Sequence, residues 1–439
     1  MLDYRLSQPS TWMLPFLFVA LFLCTSPSLS FLFNGTTRWG FVLLGFLWVL
    51  SRNQWGMIFR SPLALVTMLL FAWPFITVIW SIETSLSLFK ATGFIVISCT
   101  MFALGAAWAW RQGERALDLL FPFMGIFFLI LVTAGIPTEI ASGYGQLYEG
   151  AGNPNLTGIA AAFCVPLVLY RMFVHGGSHR LLWWTVLLAL IYVFLAALSR
   201  NAMLVAGITG FGCLIGMGAK RKTIVMTLAA LSAPAVIIIT LLLPQLISNA
   251  SNFVYGAIIM KGALERAELE DSPLASRAIP FLEQAKAAKE GGILGGGYGA
   301  QIEVGHYVII NNQPKYFKPG SYKREKANSA LAIMEEQGLV GLAITTIWLF
   351  MLFRLLIRQY RRSPPGNARL LLGIMTAFLF AMLLHSMFEA WWVSPGSLEA
   401  LVFWAMAGLT YGFGQRVNAV YLTDWNRNLG RSAQSEQYT

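Results

Sequence analysis

Charged residues are scarce in this chain, and their scarcity limits the class of protein. Only 12% of the 439 residues are charged, whereas 57% are hydrophobic and the mean hydropathy is +0.63. Soluble domains carry about 25% charged residues. Apolar stretches of about 20 residues recur along the chain, which is the length that a helix needs to cross the hydrocarbon core of a bilayer. The composition therefore predicts an all-α polytopic membrane protein.

Residue patterns typical of metal, redox and nucleic-acid sites are also missing. The cysteines fall within apolar runs without CxxC spacing, so neither a zinc site nor a disulfide framework is expected; they are Cys24, Cys99, Cys164 and Cys213. There is no DxD or HExxH motif, and we expect no metal and no cofactor. The net charge of +11 does not indicate nucleic-acid binding, because the basic residues lie at the ends of apolar runs.

The apolar runs predict about twelve transmembrane helices. They lie near residues 11–31, 37–51, 62–81, 88–109, 116–135, 156–174, 180–199, 201–219, 222–246, 330–353, 369–387 and 397–415. Between the ninth and the tenth, residues 248–328 are polar, charged and rich in glycine. We therefore divide the chain into the spans of residues 1–247, one large loop over 248–328, the spans of 329–415 and a polar tail over 416–439.

Lysine and arginine are distributed unevenly among the loops. Most of them follow even-numbered spans or lie in the tail, and loops of that kind are typically cytoplasmic. The opposite short loops hold few cations and several acids: Arg38, Lys90 and Arg200 against Glu83, Glu139, Glu149, Glu389 and Glu399. This asymmetry predicts that both termini are cytoplasmic and that the large loop faces outward.

The outward loop contains two amphipathic helical stretches and a glycine run. The first stretch covers residues 252–270, and the second follows Asp271-Ser272-Pro273 and ends near Gly291-Gly292, with Pro suited to a first helical turn. The run Gly295-Gly296-Gly297-Tyr298-Gly299 follows. Such a run can expose backbone N–H groups to an anion, or it can be a flexible turn, and both interpretations stay open.

Two arginines are candidates for binding phosphate. Arg200 follows an apolar run on the predicted outer side, where a charge is costly unless it is solvated or paired. Arg277 lies in the second loop helix. Guanidinium groups match the geometry of phosphate oxygens, so the pair could clamp a diphosphate. The alternatives are an arginine that snorkels to headgroups at 200 and a solvated helix face at 277.

Three segments, in this order, resemble the O-antigen ligase/polymerase superfamily of bacterial envelopes. They are Asn153-Pro154-Asn155, Leu198-Ser199-Arg200, and Asn328-Ser329-Ala330-Leu331 running on to Gly338-Leu339-Val340-Gly341. The large outer loop before the last segment matches as well, and the resemblance covers most of the chain. It implies a GT-C-like helical fold in the bacterial inner membrane, with the active site at the periplasmic face.

The same resemblance implies a function and its partners. A ligase of this kind transfers O-antigen glycan from undecaprenyl diphosphate to a sugar hydroxyl of lipid A–core, among membrane lipids, without a metal and with inversion. Arg200 and Arg277 would hold the diphosphate and stabilise its developing charge. The alternatives are an O-antigen polymerase, an oligosaccharyltransferase that glycosylates protein, and a transporter of lipid-linked glycan.

The chain departs from the family at the expected general base. The ligases place a histidine eleven residues before a glycine; here that glycine is Gly338 and the position holds Ala327, followed by Asn328. Alanine cannot accept a proton, whereas histidine suits this role. Three explanations stay open: Ala327 replaces a histidine, as an engineered change or in a natural relative; His306 of the same loop serves; or His385 serves, with Glu389 one turn along. We expect aromatic cavity walls, for example Trp391 and Trp392; an aromatic belt at the membrane interface explains these two tryptophans equally well.

Overall fold

The structure is a computed structural model of the chain. It describes residues 13–24, 35–52, 54, 56, 62–118, 120, 154–174, 178–196, 200–216, 275–304, 306–310, 313–317, 326 and 328–436. The helices are α1 (Met13–Leu23), α2 (Gly35–Ser51), α3 (Ala64–Thr77), α4 (Thr84–Gln112), α5 (Pro154–Val174), α6 (Ser178–Ala196), α7 (Arg200–Gly216), α8 (Ala275–Gly291), α9 (Ser329–Arg362), α10 (Asn367–Ser386) and α11 (Leu398–Glu436). The strands are β1 (His306–Ile310) and β2 (Gln313–Phe317).

The described part of the chain is mostly helical, as an all-α membrane protein requires. The predicted spans that it covers coincide with helices α1–α7 and α9–α11, whereas the predicted spans 116–135 and 222–246 lie mostly or wholly outside the described residues. By length and composition, three helical segments are able to cross a membrane: Thr84–Asp118, α9 and α10. Shorter apolar helices accompany them in α3, α5, α6 and α7.

The large loop departs from the all-α prediction at one hairpin. Strands β1 and β2 pair antiparallel, with His306 opposite Phe317 and Ile310 opposite Gln313. The sequence signal was present in the β-branched run Val308-Ile309-Ile310, because such side chains favour strands. The second loop helix is confirmed as α8, whereas the stretch 252–270 lies outside the described residues.

Helix α9 is broken at Gly338, and the segment after α8 supplies the hydrogen bonds that the break removes. Gly338 has φ +68°, and a Cβ there would overlap the carbonyl of Ile293. The amides of Leu339 and Val340 donate to the carbonyls of Gly292 and Ile293 at 3.1 and 3.2 Å. A backbone N–H that is left unpaired away from water costs about 1–3 kcal/mol, so this pairing makes the break tolerable.

The glycine run continues this pairing. The amides of Gly296 and Gly297 donate to the carbonyls of Glu335 and Glu336, each at 2.9 Å. A Cβ at Gly295 would overlap the backbone of Glu336. The run is therefore neither a flexible turn nor an anion cradle at these positions, because its N–H groups already have partners within the protein.

Helices α4 and α11 pack in the same direction through glycines. A Cβ on Gly408 or Gly412 would overlap the carbonyl of Phe102 or Ala106 respectively, and a Cβ on Gly105 would overlap that of Ala405. Glycines four residues apart let two helix backbones come into direct contact. In a bilayer the lipid tails are as apolar as the side chains, so close packing of this kind takes the place of the hydrophobic effect in helix association. This contact fixes the relative position of the two helices along their length.

The two ends of the bundle differ in charge. With 29 residues, α4 is about 44 Å long, so its ends are far apart. In its last turn the carbonyl of Trp110 accepts a hydrogen bond from Arg416 at 2.7 Å, and just beyond that turn Asp118 pairs with Arg171. Its first turn meets the glycine run and the residues between α10 and α11. The arginine-rich end is the one that the sequence predicts to be cytoplasmic.

Candidate functional site

A cavity of about 490 Å³ opens at the bundle end opposite the arginine-rich one. Within the described residues, four separate parts of the chain build it: the start of α4, the end of the glycine run, the residue two before Asn328, and the segment from the turn after α10 to the first turn of α11. Most of the described lining residues are polar or charged, with a few apolar ones among them: Glu83, Leu86, Lys90, Gly299, Gln301, Lys326, Glu389, Ala390, Trp391, Ser394, Ser397 and Glu399. A cavity of this volume is within the range of small-molecule sites.

One wall is held by a buried carboxylate of α9. Glu336 is fully buried, forms an ion pair with Lys326 and accepts a hydrogen bond from the amide of Gly299 at 2.6 Å. Lys326 also donates to the carbonyl of Ala300 at 3.2 Å. A buried charge is tolerated only when it is paired and hydrogen-bonded. The pair therefore fixes the glycine run against α9 and places Lys326 at the cavity.

The neighbouring residues complete this wall. Glu335, also fully buried, accepts from the amide of Ile302 at 2.9 Å. Lys90 of α4 donates to the carbonyl of Gly299 at 3.3 Å. Tyr298 is buried with its amide donating to the Thr77 hydroxyl at 3.1 Å. Burial, and to a lesser degree the Glu336 carboxylate, raise the pKa of Tyr298 well above its usual value, so this phenol stays protonated near neutral pH.

Asn328 joins three elements at the start of α9. Its side chain caps α9 by accepting from the amide of Leu331 at 3.0 Å and donates to the carbonyl of Met387 at 2.8 Å. Its backbone N–H and C=O both pair with the Gln284 side chain of α8, at 2.9 Å each. The side chain is buried. The structure thus gives Asn328 a positioning role at the junction of α8, α9 and the end of α10.

His385 lies behind the cavity wall and does not line it. It is 1% exposed, and its Nδ1 accepts a hydrogen bond from the Trp391 indole at 3.2 Å. Trp391 lines the cavity, as expected, whereas Trp392 lies beneath it and packs on Trp348, with ring centroids 6.2 Å apart. His385 therefore orients an aromatic wall, and its Nδ1 is already engaged.

Ser329 ties the start of α9 to the same turn. Its hydroxyl donates to the carbonyl of Glu389 at 3.1 Å and accepts from the amide of Trp392 at 3.3 Å. Through these bonds the turn that carries Glu389 and Trp391 is fixed to the helix that carries Glu336.

No protein-family model matches this chain. No curated protein matches it either. The resemblance to the O-antigen ligase/polymerase superfamily therefore rests on the sequence motifs and remains a prediction.

The remaining expected site residues fall at the margins of what the structure describes. Arg200 begins α7, Arg277 lies in the first turn of α8 and His306 begins β1, but their side chains lie outside the described part, as does the whole of Ala327. Position 327 is flanked in sequence by Lys326, which lines the cavity, and Asn328.

The sequence did not predict which charged residues line the cavity together. Glu83, Lys90, Glu389 and Glu399 were visible as charges of the outer short loops, yet nothing in their spacing joins them. They come together because α4 and α11 run side by side in the same direction and the turn after α10 folds onto α9. The signal was the presence of acids in loops that should otherwise carry little charge.

Proposed function

We propose that this chain is a membrane glycosyltransferase of the O-antigen ligase type. It transfers O-antigen glycan from undecaprenyl diphosphate to a sugar hydroxyl of lipid A–core at the periplasmic face of the bacterial inner membrane, with both termini in the cytoplasm. The observation that carries the proposal is the charged cavity of about 490 Å³ beside the Asn328 segment. It opens at the end of the bundle that the sequence predicts to face outward.

The lining of the cavity suits carbohydrate. Carboxylates, hydroxyls and an amide accept or donate hydrogen bonds to sugar hydroxyls, and here they come from Glu389, Ser394 and Gln301. Trp391 supplies a rigid apolar wall on one side. Aromatic and polar groups converging in one concavity are typical of a site that orients a polar ligand.

The proposed reaction is a single displacement. The acceptor hydroxyl attacks the anomeric carbon, the bond from that carbon to the phosphate oxygen breaks, and undecaprenyl diphosphate leaves with the electron pair. Attack from the opposite face inverts the anomeric centre. Arg200 and Arg277 neutralise the charge that develops on the leaving diphosphate, and groups of this kind are typically worth 10²–10³-fold in rate.

A reconstituted assay tests the proposal. The full-length chain in lipid nanodiscs is supplied with undecaprenyl-diphosphate-linked glycan and lipid A–core, and the joined product is measured. A polymerase would lengthen the carrier-linked glycan without core, an oligosaccharyltransferase would require a protein acceptor, and a transporter would form no product. Because Ala327 occupies the family's base position, A327H is assayed in parallel. Absence of product from both proteins, in preparations that bind the donor, would overturn the proposal.

The arginine clamp gives a separate prediction. R200A and R277A should each raise the KM for the donor and lower kcat by roughly 10²-fold, since each removes a donor to the leaving diphosphate. R361A, an exposed arginine in the last turn of α9, is the matched control and should behave as wild type. Unchanged donor kinetics in both clamp variants would remove these arginines from the site.

A further inference from the structure

We propose that the cavity is the subsite for the acceptor sugar and that Glu399 takes the proton from the attacking hydroxyl. This inference rests on the proposed function and assigns one of its two substrates to the space that the structure shows. It also names a proton acceptor in a chain whose expected histidine position holds alanine.

The charge of the cavity favours a neutral ligand over a diphosphate. Of the residues that the structure describes, three carboxylates and two lysines line it: Glu83, Glu389, Glu399, Lys90 and Lys326. Lys326 is ion-paired with Glu336 behind the wall, so among these described residues the carboxylates outnumber the lysines four to two once that partner is counted. Like charges repel strongly in a partly desolvated site. A diphosphate is therefore disfavoured here, whereas sugar hydroxyls can donate to the carboxylates.

Glu399 is the one of these three carboxylates that lies within a regular helix. It lies in the first turn of α11 and is half-buried at the cavity. It lies two positions after Ser397, the residue that precedes the helix. Ser397 in turn accepts from the amide of Ala400 at 3.2 Å, which caps the helix. A general base must be held in position near the proton that it takes.

The other two carboxylates are held differently. Glu83 is exposed at the rim, just before α4. Glu389 lies in the irregular turn after α10, where its carbonyl accepts from Ser329 and from the amide of Trp391. Among the described residues no histidine lines the cavity, and His385 is engaged behind Trp391. These placements single out Glu399.

The proton balance of the step is complete. As the acceptor oxygen bonds to the anomeric carbon, its proton passes to the Glu399 carboxylate, and the electron pair of the broken carbon–oxygen bond leaves on undecaprenyl diphosphate. The carboxylic acid then returns the proton to water. A base in this place makes a histidine at position 327 unnecessary, which accounts for Ala327.

The decisive variant is E399Q, which keeps the shape of the side chain and removes its basicity. We expect kcat to fall by about 10²-fold or more with little change in the donor KM. The wild-type rate should rise with pH as the carboxylate ionises, and that rise should be absent in E399Q and retained, at a lower rate, in E399D. The matched control is E290Q, an exposed glutamate of α8, which should keep the wild-type rate and pH profile.

The subsite assignment is tested with Q301A. Because Gln301 lines the cavity, this variant should raise the KM for lipid A–core several-fold and leave the donor KM unchanged. A change in the donor KM alone would assign the cavity to the donor and overturn the inference.

The results separate the inference from the proposed function. Product from the native chain with a normal rate in E399Q would overturn Glu399 as the base and leave the function intact. Product from A327H but not from the native chain would likewise overturn Glu399 as the base and leave the function intact. Absence of product from both the native chain and A327H contradicts the function itself.

Discussion

At the scale of single residues, the ion pair between Lys326 and Glu336 determines the shape of one cavity wall. Glu336 is fully buried and Lys326 only partly exposed, and together they hold the carbonyl of Ala300 and the amide of Gly299. Sequence reasoning did not find this pair, although its members are ten positions apart, because Lys326 precedes α9 and only the folded loop brings it back.

Removing one member should leave an uncompensated buried charge. We expect K326M to destabilise the protein by about 3 kcal/mol and to lower the temperature of thermal unfolding in nanodiscs. The double variant K326M/E336Q should be less destabilised than the sum of the single variants, since it removes the stranded charge. K289M, at an exposed lysine of α8, is the control, and an equal loss there would contradict the role of the pair.

At the scale of elements, helices were predictable where their own composition determines them. The predicted second loop helix and the described spans coincide with helices, because apolar length and local caps are properties of neighbouring residues. The break in α9 was not predictable, because the partners of Leu339 and Val340 lie more than forty positions earlier. For the same reason the sequence left open whether the glycine run is a flexible turn or offers its amides to an anion, whereas the carbonyls of Glu335 and Glu336 accept two of those amides.

The structural role of the break in α9 can be tested by adding one methyl group at position 338. G338A should destabilise the protein by at least about 1–3 kcal/mol, the range for a non-glycine residue in strained backbone, with a further loss from the overlap with Ile293 O. Thermal unfolding and glycosyl transfer should both be impaired. G207A, where a new Cβ meets nothing within 4 Å, is the matched control, and a comparable loss there would show that glycine replacement alone is responsible.

At the scale of the whole molecule, sequence reasoning gave a membrane bundle with its arginines collected at one end, but not the order of helices around the cavity. Which helices are neighbours depends on contacts between distant segments, such as α4 with α11. The candidate site was predictable only as a region near the start of α9: the predicted arginine clamp stays a prediction, and the carboxylates that line the cavity come from segments that no motif connects.

The contact between α4 and α11 predicts an effect at a distance. G408A places a methyl group against the carbonyl of Phe102 and should push the helices apart or shift them along each other. We expect a lower unfolding temperature and a higher KM for lipid A–core. G210A is the control, because a Cβ at this glycine of α7 would meet nothing within 4 Å, and it should change neither quantity. A normal KM for lipid A–core in G408A would show that the helix contact does not affect the cavity.

Because α4 and α11 run parallel, the glycine contact between them determines the relative position of the residues that each helix contributes to the cavity. One helix carries Lys90 and the other carries Glu399, both on the cavity side of that contact. A slip by one residue along the interface would displace the two charges by about 1.5 Å relative to each other. The distance between the Glu399 carboxylate and the Lys90 ammonium is therefore set several helical turns away from the cavity, by two backbones in direct contact.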